Sequence, residues 1–345
     1  MMARYRSVLL AGGLGVAVTG SIAAQTRPEI RVSGLFFGSF ITDLGPGANS
    51  SNRFDMGRAY VNVRGQTSER VSFRITTDAI REDGQELEIR LKYAYVAYEL
   101  PSAPITIRFG QTHTPFLEME EGLWEHRIQG PVPADRLKYM TTSDLGLSAE
   151  GAWGEGEKFQ MTAGVYNGEG WAKGDTDSGK DFMARATMRL ASSNDPGPLG
   201  GLRLTGYGQI GSPAGGGVRQ RALGLLSYRA RHFTVATEYL LARDRSDPEP
   251  GTPGTLVEGT LFNTFTVIKV PNTTALFIGR LERYDPDRDT PDDRQTRLTG
   301  GVGVRLAPEL RILGSLEHLT YQSGAPSAAL DASRIRGLLT VALTF

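Results

Sequence analysis

The last segment of the chain constrains the fold most. Apolar residues occupy alternate positions from Ile335 to Phe345, and polar or small residues, beginning with Arg334 and Arg336, lie between them. This period of two is the repeat of a β-strand that separates an apolar from a more polar environment. Such a strand suits the end of an outer-membrane barrel, with Phe345 in the interfacial aromatic girdle. It also suits a soluble sandwich, because both have one apolar face.

The other end of the chain predicts export. Arg4 and Arg6 precede an apolar stretch at 8–18, and small residues follow up to position 24. A positive region, a short apolar region and small residues describe a secretory signal peptide. We therefore predict a signal peptide at 1–24 and a single outer-membrane β-barrel domain at 25–345. No later segment approaches the ~20 apolar residues of a spanning helix.

Short alternating segments separated by Gly, Pro, Asp and Asn clusters fill the rest of the chain, and no helix of convincing length is predicted. The predicted strands are 29–42, 53–66, 70–81, 87–100, 105–112, 138–153, 158–167, 181–191, 201–212, 218–230, 232–244, 256–270, 273–284, 295–307, 309–321 and 333–345. Their connections alternate between short and long, as in outer-membrane barrels whose longer loops lie outside. We predict an all-β fold, a transmembrane antiparallel β-barrel of about 16 strands, wide enough for a water-filled channel.

Charged residues recur on one face of these strands. In 70–81, Arg74 alternates with apolar neighbours, and in 87–100 the alternation places Tyr93 and Tyr95 on the apolar face, opposite Arg90 and Lys92. Across the barrel this face carries about three cations for every acid, and a low-dielectric wall of one charge concentrates the opposite ion. The predicted pore-lining, anion-attracting residues are Arg58, Arg74, Arg90, Lys92, Arg108, Arg185, Arg203 and Arg280. Alternatively, these cations pair with lumenal acids and stiffen the wall.

Composition argues against several other functions. The chain has no cysteine and a formal net charge of zero. Neither a thiolate metal site nor a nucleic-acid partner is therefore predicted. The four histidines, His113, His126, His232 and His318, lack metal-ligand spacing. We predict no metal, no cofactor and no catalytic residue, and hence no enzyme.

Several segments resemble the phosphate-selective (O/P-type) porin family of bacterial outer membranes. YAYV at 93–96 leads into IRFGQTHTPF at 107–116, GVYNGEG lies at 164–170, and RYDPD at 283–287 precedes GGV at 300–302. The resemblance implies a 16-stranded, usually trimeric barrel that conducts small anions. It also implies that the third external loop folds into the lumen. Phosphate-specific members use many lysines, whereas lysine is scarce here.

The longest predicted loop, 113–137, lies at the place of that third loop. The candidate constriction residues are His113, Phe116, Glu118, Glu120, Glu121, Trp124 and Arg127. We predict an outer-membrane porin for passive diffusion of small hydrophilic solutes, with a modest preference for anions, phosphate among them. Its partners would be the lipid bilayer, these solutes and, as the resemblance implies, two further copies in a homotrimer. The alternatives are a substrate-specific carrier for an organic anion and an outer-membrane barrel enzyme.

Overall fold

The computed structural model describes residues 29–45, 52–81, 87–172, 174, 178–213, 216–246, 253–324 and 333–345. The predicted signal peptide lies outside them. The described part of the chain forms sixteen strands and two short helices: β1 (Glu29–Asp43), β2 (Asn52–Gln66), β3 (Val71–Arg81), β4 (Leu87–Glu99), β5 (Ile105–His113), α1 (Leu117–Trp124), α2 (Pro133–Arg136), β6 (Ser143–Trp153), β7 (Phe159–Tyr166), β8 (Asp181–Ala191), β9 (Gly201–Gly211), β10 (Gly217–Ala230), β11 (Phe233–Ser246), β12 (Val257–Lys269), β13 (Ala275–Asp285), β14 (Gln295–Arg305), β15 (Leu310–Tyr321) and β16 (Ser333–Thr344).

Each strand pairs in antiparallel fashion with its neighbours in sequence, and β1 pairs with β16 to close the barrel. The closing register runs from Leu35 opposite Thr344 to Asp43 opposite Arg336. Closure leaves no unpaired strand edge, which a hydrocarbon environment would penalise. The predicted antiparallel barrel of about 16 strands is confirmed. No helix in the described ranges is long and apolar enough to cross a membrane.

The exterior of the barrel is apolar and its interior is largely polar. Every one of the sixteen described strands carries an exposed large apolar side chain, such as Phe54 (88% exposed), Ile89 (74%) and Phe109 (69%). Buried positions include polar side chains such as Thr205 and Asn263. A soluble sandwich would bury its apolar face instead. This inversion identifies the outer surface as one built for lipid.

A β-bulge in β4 changes the predicted faces of two tyrosines. Leu91 lies opposite Thr77 and Tyr93 lies opposite Thr76, so that Lys92 has no partner of its own in β3. One extra residue in a strand shifts the side-chain alternation by one position. Tyr93 and Tyr95 therefore point inward, and the prediction that they share the outer face with Leu91 is wrong.

The terminal residue completes the barrel at the end that carries the short turns. Phe345 exchanges two backbone hydrogen bonds with Gly34 of β1. Its ring covers Gly34 so closely that a Cβ there would collide with it. Trp153 covers Gly151 in the same way beside another short turn. These large aromatic rings fill the gaps left by glycines on the outer surface.

The connection between β5 and β6 contains the two helices. We call residues 114–142 the β5–β6 loop. Its helix α1 spans eight residues, carries Glu118 and Glu120 in the first turn, and ends where Glu125 adopts the left-handed conformation (φ 58°). Acids in a first helical turn face the positive end of the helix dipole. The sequence predicted no helix here because eight residues are too few for a reliable periodic signal.

Candidate functional site

The β5–β6 loop packs its apolar side chains against the interior of the barrel wall. Leu117, Leu123 and Trp124 are fully buried. The Trp124 ring lies 5.2 Å from the ring of Phe265 in β12. The Phe116 ring lies 5.5 Å from that of Tyr207 in β9. Phe116 and Trp124 therefore attach the loop to the wall and do not present apolar surface to a channel.

Hydrogen bonds attach the same loop to four further strands. Arg185 of β8 donates to the Pro115 carbonyl at 2.7 Å, and Arg229 of β10 donates to the Gly122 carbonyl at 2.9 Å. Arg280 of β13 donates to the side-chain oxygen of Gln129 at 2.8 Å, and Gln129 in turn donates to Glu317 of β15 at 2.6 Å. The loop thus has hydrogen-bond partners on β8, β10, β13 and β15.

On the side of β2 to β4, three cations converge on one phenol oxygen. Lys92 and the NH1 group of Arg127 each lie 2.8 Å from the Tyr60 hydroxyl, and Arg58 also donates to it. Arg127 belongs to the loop and forms an ion pair with Glu121, also of the loop, at 2.9 Å. This cluster attaches the loop to β2 and β4. The contacts with β12 and β13 lie on the other side of the barrel.

Acids balance much of this positive cluster. Asp78 is fully buried and lies 3.7 Å from the Nε atom of Arg58. Asp135 lies 3.5 Å from Arg127, which also contacts Glu121. Burial opposes the charged form of Arg127, but Glu121, Tyr60 and Asp135 together raise its pKa. The cluster therefore brings basic and acidic side chains of the loop and the wall close together.

His113, at the end of β5, connects a wall arginine to the loop. Arg74 donates to His113 Nε2 at 2.9 Å, and His113 Nδ1 lies 2.9 Å from the Glu118 carboxylate. Because a guanidinium can only donate, His113 Nε2 accepts this hydrogen bond. His113 therefore links Arg74 of the wall to Glu118 of the loop.

Glu118 keeps its negative charge in this setting. Partial burial alone would raise the pKa of Glu118, but His113, Arg74 and Arg108 outweigh burial and lower it to about 2. The side chain is still 58% exposed. Glu118 therefore presents a fixed negative charge to the space beside the loop.

Three of the predicted pore-lining cations are buried. Lys92, Arg203 and Arg280 are at most 3% exposed. Arg203 donates to the backbone carbonyls of Gly200, Glu157 and Gly156 near the short turns. Alternation reports the face of a strand but not the depth of a side chain within the wall, so it did not predict that these three residues are buried.

The other predicted wall cations are partly exposed, and several are paired. Arg58, Arg90 and Arg108 form ion pairs with Asp78, Glu88 and Glu150, respectively. Arg74 contacts His113, Asn62 and Thr76. Arg185 donates to Pro115 of the loop.

Several acids on the inner wall were not predicted from the sequence. Asp181 lies 3.0 Å from Arg219, and Asp244 lies 2.8 Å from Arg221. Both acids lie near the ends of their strands. The alternation of side chains along each strand could have placed them on the inner face. The loop acid Glu125 adds ion pairs to Arg229 at 2.7 Å and to Lys269 at 2.6 Å. These acids therefore pair with cations of the barrel wall.

No cluster of three or more potential metal ligands occurs in the part of the chain that the structure describes. The polar cavity at the short-turn end has a volume of about 500 Å³. Its lining mixes arginines with glutamates, including Arg64, Arg74, Arg108, Glu118 and Glu150. A charged lining of this kind suits the passage of hydrated ions. The residues named here do not form a nucleophile with a neighbouring base.

Comparison with known structures places the fold among bacterial outer-membrane porins. An anion-selective porin from Comamonas acidovorans superposes with a TM-score of 0.67 at 11% identity, covering 92% of this chain and 100% of that one. OmpF of Salmonella typhi in complex with daunomycin superposes with a TM-score of 0.65 at 8% identity, covering 92% and 97%. OmpT of Vibrio cholerae, an outer membrane protein in a trimer form, gives 0.61 at 10% identity, covering 92% and 99%.

These similarities concern the fold. The sequence matches no protein-family profile and no curated protein.

Proposed function

We propose that the protein is an outer-membrane porin through which small hydrophilic solutes diffuse passively. The observation that supports this most directly is the combination of a closed barrel, a lipid-suited outer face and a charged interior that the β5–β6 loop approaches from one side. Barrels of this strand number are wide enough for a water-filled channel. The structural similarity to an anion-selective porin supports the same function.

We further propose that the β5–β6 loop narrows the channel. Its apolar side is buried on β9 and β12, and its polar groups contact inward-facing residues from β2 round to β15. Glu118 of the loop lines the same cavity as Arg74 of β3 and Arg108 of β5. Fixed charges in a confined pore are screened less than those on an open surface, where the Debye length is ~8 Å at physiological ionic strength.

The proposed ion selectivity is a weak preference for anions. Arg74 hydrogen-bonds to Asn62 and Thr76, and Arg185 hydrogen-bonds to the Pro115 carbonyl. Arg58, Arg90 and Arg108 each lie beside an acid. The exposed Glu118 carboxylate opposes the arginines directly. Such mixed walls do not single out phosphate, and a diffusion pore fits them better than the alternative of an organic-anion carrier.

Residence in the outer membrane as a homotrimer completes the proposal. The outer face suits lipid on all sides in the described strands, and a trimer form is known for the structurally similar OmpT. We also propose that the barrel is not an enzyme, because the polar clusters described above consist mainly of arginines and carboxylates that pair with each other.

Planar-bilayer recording of purified, folded protein tests the proposal. We expect large ohmic conductance steps and a reversal potential in a salt gradient that indicates slight anion preference. Folded protein without conductance would refute the porin. Block by one organic anion at low concentration would favour the carrier.

A further inference from the structure

Two glutamates from different elements meet where the β5–β6 loop touches the wall. Glu120 of α1 is fully buried, and Glu238 of β11 is 2% exposed. The side-chain amide of Asn263, in β12, donates to one oxygen of each, at 3.4 Å for Glu120 and 3.0 Å for Glu238. One amide group thus bridges the loop and the wall.

The second oxygen of each carboxyl group is also buried. Among the described residues neither Glu120 Oε2 nor Glu238 Oε2 has a hydrogen-bond donor. Two buried carboxylates in contact repel each other, and each leaves an acceptor unsatisfied. A single proton between them removes the repulsion and gives both oxygens a partner.

The charged groups around Glu120 and Glu238 favour protonation of this pair of carboxyl groups. Arg280 of β13 is the nearby cation, but it forms an ion pair with Glu282 at 2.8 Å and also binds Gln129. Glu121, the next residue of α1, adds another negative charge nearby. Burial and the facing Glu238 raise the pKa of Glu120 well above its usual range, and Arg280 opposes this only in part.

We propose that Glu120 and Glu238 share one proton, and that Glu238 is a positioning residue which holds α1 on the wall only while this proton is present. The direction of the pH dependence follows from the raised pKa of Glu120. A carboxyl group whose pKa is raised by folding stabilises the contact at low pH, and this contribution is lost as the pH rises through the folded pKa. The loop attachment should therefore weaken under alkaline conditions.

The first test does not depend on channel function. Infrared spectra of the folded protein in detergent should contain the carbonyl absorption of a buried carboxylic acid at neutral pH. This absorption should disappear at alkaline pH and be absent from Glu120→Gln and from the double variant Glu120→Gln/Glu238→Gln. Glu309→Gln, which changes an exposed acid in a short turn, is the matched control and should keep it. If the wild-type and double-variant spectra are identical at neutral pH, no shared proton exists.

The second test rests on the proposed porin function. Single-channel conductance of the wild type and of Glu309→Gln should increase between about pH 7 and about pH 10, beyond the usual range of glutamate titration. Glu120→Gln should lose this increase, because its amide donates to the Glu238 carboxylate at every pH. The same alkaline increase in Glu120→Gln would overturn the positioning role. Folded protein without conductance would refute the proposed porin function. The infrared spectra alone would then show whether the two glutamates share a proton.

Discussion

At the scale of single residues, the neighbours of Glu118 determine the charge of the space beside the loop. Arg74 contacts His113, and His113 lies beside the Glu118 carboxylate. His113, Arg74 and Arg108 lower the pKa of Glu118, so that its side chain stays negatively charged. This carboxylate should act against anions that pass the arginines.

Replacement of Glu118 by Gln should therefore increase anion preference. Because the pKa of Glu118 is lowered to about 2, its carboxylate persists above that pH and is neutralised only as the pH falls through it. The difference in reversal potential between wild type and Glu118→Gln should thus be the same at about pH 7 and about pH 4, although an ordinary glutamate would be half protonated near the lower value. A difference that vanishes by about pH 4 would contradict the lowered pKa.

The wall arginines set the opposing charge. Replacing Arg74, Arg90 and Arg108 together with Glu should reverse the selectivity from weakly anionic to cationic, as measured by reversal potentials in a salt gradient. Arg203 provides the control, because it is buried near the short turns and Arg203→Gln should leave selectivity unchanged. Unaltered selectivity in the triple variant would show that the acidic loop, and not the arginine wall, sets the field.

At the scale of elements, the β5–β6 loop behaves as an internal packing unit. Its helix α1 has only eight residues, and isolated helices of that length are unstable in water. Burial of Leu117, Leu123 and Trp124 compensates for this weakness. The helix thus depends on the wall for its stability.

Deleting residues 117–130 should raise single-channel conductance, because it removes α1 and its attachments from the interior. Deleting residues 286–292 from the β13–β14 connection is the control, since Arg288 and Asp292 of this loop bond to Glu258 of β12 and to Gly324 beyond the end of β15. The control should leave conductance close to that of the wild type. Equal conductance in the 117–130 deletion and the wild type would exclude a constricting role.

A smaller change addresses the same packing. Trp124→Ala should destabilise the attached loop by about 3–5 kcal/mol, the usual cost of truncating a large buried aromatic residue. We expect a noisier and larger conductance together with faster proteolysis within the loop. Phe54→Ala removes an exposed aromatic ring on the outer face and should change neither property. Unchanged noise and proteolysis in Trp124→Ala would show that the loop is held by its polar contacts alone.

At the scale of the whole molecule, closure between β1 and β16 determines integrity. The backbone of Phe345 pairs with Gly34, and its ring covers that glycine. Phe345→Ala would keep the pairing and remove the cover. We expect a loss of about 0.5–1.5 kcal/mol, in the range of aromatic cross-strand contacts.

The temperature at which the folded band disappears on semi-native gels would report this loss. Phe345→Leu, which keeps an apolar side chain, should recover part of it. Equal midpoints for wild type and Phe345→Ala would mean that the ring contributes nothing to closure.

The amino-acid sequence by itself determined the strands of the barrel and their bounds almost throughout. Alternation is a local property, and short turns bring each strand next to the following one, so no distant information was needed. The largest difference was β6, predicted from residue 138 and observed from Ser143, because α2 and its C-terminal turn occupy the preceding residues.

Only the tertiary structure decided which charges meet. The bulge at Lys92 depends on how β4 aligns with β3, which alternation within β4 alone does not reveal. Arg136 with Glu282 and Gln129 with Glu317 lie far apart in sequence and meet because the loop turns toward the wall. Their pairing depends on the three-dimensional path of the loop and on side-chain depth. For this reason the alternation within single strands did not predict these pairs.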